Sequence, residues 1–566
     1  MEVNIRIAGA AGQGIQTAAG LLGKALTRSN LFAYAYTDAE SRIRGGLNFT
    51  HIRCSREPLA GVTNRIDILV ALSKEALSAF EELMTEKSLV VAPQSWPHPH
   101  RVPAAIGKLA EQAGSEAVSG TVSIATAWKI LGQAPGILET LIREHFASKK
   151  NVLAQNLKAL NLVFDSSQQI PGAAYFHLPP ASSTGTGRMW ISGHEAVSLG
   201  AVAGGVTFVT GYPMSPATSI LINMAQWHRQ LEVIVEQAED EIAAINMVAG
   251  ASYAGARAMT ATSGGGFSLM VEGLSLLGMI EYPAVIVLAQ RPGPATGLPT
   301  RTAQGDLNFV RHAGHGSFPR VIIAPGNISE CFDMTALAFD IAEQYQVPVF
   351  VMTDQLLQDS QTTMAPFAVG HLPKRRHIMS PEALTSLTGY RRYARTESGV
   401  SPLAAPGDSR HVVVVDSDEH DEAGHITESA RIADEMAQKR LQKGKTLMEA
   451  SWKNRLVGPV DGRPLVVGWG SSLETLKEAV SRLNAEGLKV AHFHLSWLWP
   501  VQEQMIRQPV QAASRLIVVD HSVDGGLGAY LREVALRAPD AVISRRDGRP
   551  FSVDELYGKL RAEVIE

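Results

Sequence analysis

Val3, Ile5 and Ile7 alternate with polar neighbours, the period of two that predicts a half-buried strand. Beyond Gly9-Ala10-Ala11-Gly12-Gln13-Gly14, the apolar positions Ile15, Ala19, Leu22 and Leu26 return at helical spacing. Strand, glycine turn and helix together open a doubly wound α/β unit. The β-rich runs 66–72 and 89–92 read as further parallel strands. Residues 168–187 are rich in Pro, Ser, Thr and Gly and predict a linker. Near-continuous apolar runs then follow at 206–210, 258–262, 284–289, 321–324 and 349–353, the pattern of parallel strands buried on both faces. Residues from about 370 to 460 are more polar and weakly periodic, and a third series of strands is expected at 465–467, 490–495 and 516–519. The expected organisation is a multidomain α/β chain divided at 1–185, 186–370, a connecting segment 371–460, and 461–566.

Composition narrows the classes. The chain has 566 residues, 45% hydrophobic and 19% charged, ordinary for a globular protein of several domains. Its net charge, 51 − 55 = −4, supplies no global basic field for nucleic acid. Two cysteines, Cys54 and Cys331, exclude a disulfide framework and a four-thiolate zinc or iron–sulfur site within the chain. The first residues lack a basic segment followed by an apolar one, and the apolar stretch 267–288 is interrupted by Glu272, Glu281 and Pro283. No membrane span and a cytoplasmic location are therefore expected.

The Gly9–Gly14 turn is G-x-x-G-x-G rather than a dinucleotide fingerprint. Its glycines allow a backbone to approach a phosphate at a helix N-terminus, but a tight turn holding nothing reads equally well. Ser41-Arg42-Ile43-Arg44-Gly45-Gly46 places two arginines beside paired glycines, a second anion candidate that by itself reads more readily as a solvated loop. The stretch from 211 to 307 carries more information. Gly211-Tyr212-Pro213-Met214-Ser215-Pro216-Ala217-Thr218 follows a strand. Glu239-Asp240-Glu241 precedes a helix. Thr260-Ala261-Thr262-Ser263-Gly264-Gly265-Gly266 and Arg291-Pro292-Gly293-Pro294-Ala295-Thr296-Gly297-Leu298-Pro299-Thr300 end two more strands. Loops at the carboxyl ends of parallel strands are where open α/β sheets bind ligands. His420 among Asp418, Glu419, Asp421 and Glu422 reads as a solvated acidic loop, since consecutive carboxylates do not converge on a metal. His194-Glu195 has no second histidine one turn on, so it is not a zinc-protease motif. No metal ligand is assigned.

These motifs, in this order, resemble the α chains of the 2-oxoacid:ferredoxin oxidoreductases, from the Tyr212–Thr218 loop to Gln304-Gly305-Asp306-Leu307. The likeness extends through 396–402 and 418–422, and the first region is similar to the family's separate γ chain fused in front. The resemblance implies a γ-type α/β domain, a pyrimidine-type domain for thiamine diphosphate and a transketolase C-terminal-like domain. Glu241 matches the glutamate set against the aminopyrimidine ring, in preference to Glu239. A carboxylate there favours the imino tautomer that draws a proton from the thiazolium, the cofactor then acting as electron sink. The acidic run also suits a helix N-terminus with no cofactor. Tyr212, Pro213, Ser263 and Gly264 fall in cofactor-binding motifs. Ser215 stands where threonine is usual, and with Arg291 it matches residues that bind the substrate carboxylate. Arg301 is a candidate for a second, distal carboxylate such as that of 2-oxoglutarate, or a loop arginine capping carbonyls. Gly9, Gly12, Gly14, Arg44, Gly45 and Thr296 are candidates for coenzyme A or another anion. The sequence departs from the family at His194, Gly265 and the turn 520–526.

Thiamine enzymes hold the diphosphate through magnesium in a Gly-Asp-Gly segment, which is missing here: Gly305-Asp306 is followed by Leu307. The resemblance implies that a separate β subunit supplies diphosphate binding, magnesium and an iron–sulfur cluster, in an α2β2 assembly that reduces ferredoxin. The expected activity is reversible, CoA-dependent oxidative decarboxylation of 2-oxoglutarate to succinyl-CoA, with pyruvate and branched-chain or aryl 2-oxoacids as alternatives. A non-catalytic nucleotide-binding module accounts for the first region only, and a non-oxidative thiamine enzyme lacks the Gly-Asp-Gly segment.

Overall fold

The computed structural model describes residues 2–41, 45–167, 169–180, 187–373, 375–450 and 454–565. The chain forms two compact units, one of Met1–Ser192, Asp359–Pro366 and Ser552–Asp554, the other of Gly193–Gln358, Phe367–Phe551 and Glu555–Glu566. Arg44 lies outside the described residues, as do 168 and 181–186 of the expected linker.

The first unit is built on a seven-stranded mixed sheet. The strand Glu2–Ala11 pairs in parallel with Ile66–Ala71, which pairs in parallel with Met84–Val91. On its other side Glu2–Ala11 runs antiparallel to Gly45–Ser55, which pairs antiparallel with Phe32–Asp38. Two short strands complete the sheet, Gln361–Met364 against Phe32–Asp38 and Met189–Ser192 at the edge. Both come from the expected second region, so the boundaries anticipated at 185 and 370 do not coincide with those of the sheet. The helix Ile15–Arg28 buries Ile15, Ala19, Leu22 and Leu26 on one face, as their spacing requires.

The opening strand differs from its half-buried expectation, because its polar face is covered too. Arg6 is buried, with its guanidinium 4.2 Å from the Phe49 ring centre and hydrogen bonds donated to His51 Nδ1 and Tyr36 Oη. Asn4 donates to the buried Asp67 carboxylate. Polar side chains that satisfy one another inside a core keep the alternation of an exposed strand without its exposure.

The second unit holds two sheets. One runs, by strand, Trp497–Trp499, Val321–Ile323, Pro348–Asp354, Ala284–Gln290, Ala258–Thr262, Phe208–Gly211, Ile234–Gln237, and is parallel except at its first pair. The other is five-stranded, with Ala491–Leu495, Leu465–Trp469, Leu516–Asp520 and Ala541–Ser544 parallel and Arg455–Val457 antiparallel at the edge. The polar segment expected as a connection contains the helix Ala430–Glu449, which buries Met436, Lys439, Lys443 and Leu447. His420 is fully buried against Tyr393 at a ring separation of 3.8 Å, not solvated as expected. No helix among the described residues is long and apolar enough to cross a membrane.

Candidate active site

Because Phe208–Gly211, Ile234–Gln237, Ala258–Thr262 and Ala284–Gln290 are parallel neighbours, their following loops emerge on one edge. Those loops are 212–217, 238–240, 263 and 291–306, the segments that carry the sequence motifs.

Glu241 is the first residue of the helix Glu241–Tyr253, with Asp240 as its cap: the Ala243 N–H donates to Asp240 Oδ1 over 2.7 Å. Glu241 itself points inward and is 2% exposed, and its Oε1 has no hydrogen-bond partner among the described residues. Burial is the chief reason its carboxyl is shifted above the usual carboxylate range, with the neighbouring Asp240 charge adding to it. Opposite lies the turn 262–266. A side chain on Gly266 would overlap both Glu241 Oε1 and Thr262 Oγ1. Thr260 Oγ1, Thr262 Oγ1 and Ser263 Oγ are buried and equally unpartnered. A native core satisfies most buried polar atoms, so this concentration of orphans marks a place built for a polar ligand.

Arg291 follows the strand Ala284–Gln290 and donates from Nη1 to the Ser215 carbonyl, 2.8 Å away, tying two of the loops together. The side chain of Ser215 stays exposed. Asp306 closes the loop that Arg291 begins: its N–H donates to Gln290 Oε1 at 3.1 Å, while its carboxylate lies against Gly264, where a β-carbon would come within 2.5 Å of Oδ2. Asp306 Oδ2 is a further buried oxygen without a partner. Burial pushes this carboxyl up to about 6 in spite of the Arg291 charge. Arg291 is in turn lowered by its own desolvation, against the pull of Asp306.

The structure thus brings Ser215, Arg291, Gly264 and Asp306 together, and Glu241, Thr262 and Gly266 together, on the same sheet edge. Tyr212 and Pro213 are exposed in the loop that holds Ser215, and Ser263 is buried at the cap of the helix Gly264–Ile280. Arg301 sits farther along the Arg291 loop. Its N–H donates to the Leu298 carbonyl and its stem lies against Gly548. Thr296 is exposed between Ala295 and Gly297, both at positive φ. In the first unit, Gly12 and Gly14 take positive φ at the exposed start of Ile15–Arg28, and Gly9 is held close to Leu72 and Gln13. Gly45, also at positive φ, starts the strand Gly45–Ser55. Asp520, in the divergent turn 520–526, is buried and accepts from Ser522 Oγ and the Leu527 N–H. That turn is closed by its own bonds. Thr260, Thr262 and Gly266 went unassigned in the sequence, and Asp306 was read only as part of a motif. The turn 262–266, rich in glycine and hydroxyls and carrying the candidates Ser263 and Gly264, was the available signal.

A family model described as "Pyruvate flavodoxin/ferredoxin oxidoreductase, thiamine diP-bdg" matches residues 199–439. Others, "Pyruvate ferredoxin/flavodoxin oxidoreductase" and "Pyruvate:ferredoxin oxidoreductase core domain II", match residues 4–166 and 464–556. A 2-oxoacid:ferredoxin oxidoreductase subunit alpha from Sulfolobus sp is 30% identical over 99% of this chain and 96% of its own. The chain belongs to the 2-oxoacid:ferredoxin oxidoreductase family. It is the alpha subunit of such an enzyme and includes the family's thiamine-diphosphate-binding domain. The 2-oxoglutarate synthase subunit KorA of Methanothermobacter marburgensis is 30% identical over 66% of this chain and 99% of its own. A solved structure, the 2-oxoglutarate:ferredoxin oxidoreductase from Magnetococcus marinus with 2-oxoglutarate, coenzyme A and succinyl-CoA bound, superposes with a TM-score of 0.89. It shares 29% identity and covers 100% of this chain and 99% of its own. The multidomain α/β architecture expected from the sequence is that of the family.

Proposed function

We propose that this alpha subunit serves a CoA-dependent oxidative decarboxylation of 2-oxoglutarate to succinyl-CoA and CO2, with ferredoxin reduced, and that Glu241 is its catalytic carboxyl. The observation that carries the reading is the buried, unpartnered Oε1 of Glu241 facing a glycine that leaves space in front of it. Thiamine diphosphate fits that space: the hydroxyls of Thr260 and Ser263 are free to bond a heteroaromatic ring, and Gly264 and Gly266 present no side chain to block it. Tyr212, Pro213, Ser263 and Gly264 would hold the cofactor on this side. When bound, the cofactor supplies the electron sink that decarboxylation of a 2-oxoacid needs.

The chain's own residues do the rest. Glu241 holds or releases a proton at Oε1, and burial brings its proton affinity closer to neutral pH, as general acid–base work requires. Arg291, fixed by the Ser215 carbonyl, offers its remaining N–H groups to the carboxylate of the 2-oxoacid, with the Ser215 hydroxyl as a second donor. Arg301 recognises the distal carboxylate. Gly9, Gly12, Gly14, Arg44, Gly45 and Thr296 are the positions proposed for coenzyme A or another anion. The choice of 2-oxoglutarate is supported by the relatives named 2-oxoglutarate synthase and by the ligands of the Magnetococcus structure.

The two cysteines are buried, with thiols raised by desolvation, and cannot supply the ligands of a four-thiolate cluster. A β subunit therefore carries the iron–sulfur cluster, magnesium and the diphosphate site in an α2β2 complex of the cytoplasm. The test is an anaerobic assay of the complex with its β subunit, following CoA-dependent reduction of a low-potential dye. Turnover should need both chains, prefer 2-oxoglutarate over pyruvate and 2-oxoisovalerate, and fall by at least ~100-fold in Glu241→Gln, the lower end of general acid–base contributions. Arg301→Ala should raise KM for 2-oxoglutarate and leave that for pyruvate unchanged. Activity of this chain alone, or a fully active Glu241→Gln complex, would refute the reading.

A further inference from the structure

Thr262 ends the strand Ala258–Thr262 and is fully buried, yet its hydroxyl has no partner among the described residues. The same holds for Glu241 Oε1, and both atoms border the one spot that a side chain on Gly266 would fill. A buried polar atom left without a partner is costly, so two of them bordering one spot in a well-formed core call for a common explanation.

Among the described elements that pack most closely on the helix of Glu241, no cation supplies it. The helix Glu241–Tyr253 packs on the helix Gly264–Ile280 and on the strands Phe208–Gly211, Ala258–Thr262 and Ala284–Gln290. The three strands carry no ionisable side chain, and Glu241 is the only carboxylate on its own helix. On the facing helix Glu272 is exposed, and Glu281, just past its end, is paired with Lys439 and Lys443. The adjoining Asp240 is of like sign and opposes ionisation of Glu241. A carboxylate that must ionise in such surroundings needs a neutral hydrogen-bond donor.

We propose that Thr262 is a positioning residue for Glu241, its hydroxyl donating to Oε1 of the ionised carboxylate and holding it aimed at the space in front of Gly266. The inference rests on the proposed role of Glu241 and adds to it. The hydroxyl turns toward Oε1 when the proton leaves and turns away, or accepts, when the proton returns. The carboxyl would thereby respond to ionisation locally, in a site where water is excluded.

The experiment uses the complete α–β complex with Thr262→Val, Thr262→Ser and Glu241→Gln. In complex freed of thiamine diphosphate, difference infrared spectroscopy follows titration of the Glu241 carboxyl, with Glu241→Gln as the blank. Calorimetry follows thiamine diphosphate binding against pH. Thr262→Val keeps the shape and removes the donor, so the Glu241 midpoint should rise by about one pH unit, the lower end of the value of a hydrogen bond to a charged group. Cofactor binding should weaken most on the acid side. Thr262→Ser should titrate as the wild type does. A midpoint unmoved in Thr262→Val overturns the proposal, and so does a Thr262→Ser shift as large as that of valine, which would assign the effect to the methyl group. Glu241→Gln separates the two layers. Cofactor binding and turnover unchanged in that variant would refute the role of Glu241 itself. Loss in that variant beside an unshifted Thr262→Val would remove only the threonine.

Discussion

A β-carbon on Gly266 would collide with Glu241 Oε1 and Thr262 Oγ1, neither at the end of a side chain free to swing into solvent. Gly266→Ala should therefore damage the site more than the fold. Overpacking of this kind costs about 1–3 kcal/mol, a tolerable loss, whereas the space in front of Glu241 disappears. The expected outcome is thiamine diphosphate binding weakened by more than tenfold, with far-ultraviolet circular dichroism unchanged. Asp306 yields a pH prediction. Its carboxyl is pushed up to about 6 by burial from a reference near 3.8, so the folded chain binds more protons than the unfolded chain between those values. Stability from this group is fully present below pH 4 and is lost as pH rises through 6. Asp306→Asn removes that loss. Above pH 7 the variant should melt roughly 2–4 °C higher than the wild type, and the difference should vanish below pH 4. Thermal melts across pH 4–8 check it. At this scale the motif residues were legible, since glycine, proline and arginine in fixed order describe loops. Thr262 and Asp306 were not, because an unpartnered hydroxyl or carboxylate exists only once neighbouring strands have closed around it.

The helix Ala430–Glu449 shows why whole elements can hide. Its buried face carries Lys439 and Lys443 where an apolar stripe would be sought, and both ammonium groups meet Glu281, itself 2% exposed. Lys439 Nζ lies 2.8 Å from Glu281 Oε1. The two lysines hold the Glu281 carboxyl far below the usual range, and burial pulls Lys443 down to about 7. A hydropathy pattern scores such a face as solvent-exposed, and the segment read as a weakly periodic connection. Breaking a buried pair on one side costs about 3–5 kcal/mol, because the remaining charges stay buried without compensation. Glu281→Gln should accordingly destabilise the second unit by that order, seen as a lowered urea midpoint. Replacing Glu281, Lys439 and Lys443 together by Gln, Met and Met should recover most of the loss. The strands of the parallel sheet, by contrast, were legible as apolar runs, and Ala258–Thr262 was read with its observed bounds. The paired strands Phe32–Asp38 and Gly45–Ser55 were not, since polar residues such as Thr50, His51 and Arg53 are buried in them, and the edge strands Ile234–Gln237 and Arg455–Val457 were not, since they are exposed and lack a continuous apolar run.

For the molecule as a whole, sequence order misleads about which segments belong together. Gln361–Met364 sits in the first unit's sheet, and Trp497–Trp499 extends the central sheet of the second. Pairings across hundreds of residues leave no local trace, so a division by linkers and composition could not foresee them. At this scale the missing Gly-Asp-Gly segment and the two cysteines are what the sequence contributes to the proposal of a β subunit. The surface of the second unit bears on the same proposal. Tyr212, Ile242, Leu269 and Leu298 are all large, apolar and at least 40% exposed, and each adjoins a loop or helix start of the proposed site. Exposed apolar side chains on the elements that carry a polar site mark an interface, and the β subunit is the proposed occupant. Leu269 is the sharpest probe, since it is 50% exposed on the helix Gly264–Ile280 and its removal leaves the buried residues Phe267 and Met270 in place. Leu269→Lys costs the isolated chain little, because the ammonium reaches water. In the complex the same ammonium would be buried without a partner, a penalty of several kcal/mol, so affinity for the β subunit should fall by at least about 100-fold. Analytical ultracentrifugation of the two chains together should then show free subunits at concentrations where the wild type is fully assembled. Dye reduction should be restored only by a large excess of β subunit, with kcat unchanged at saturation. Unaltered assembly of Leu269→Lys would place the β subunit on another face, and these exposed apolar side chains would need a different occupant.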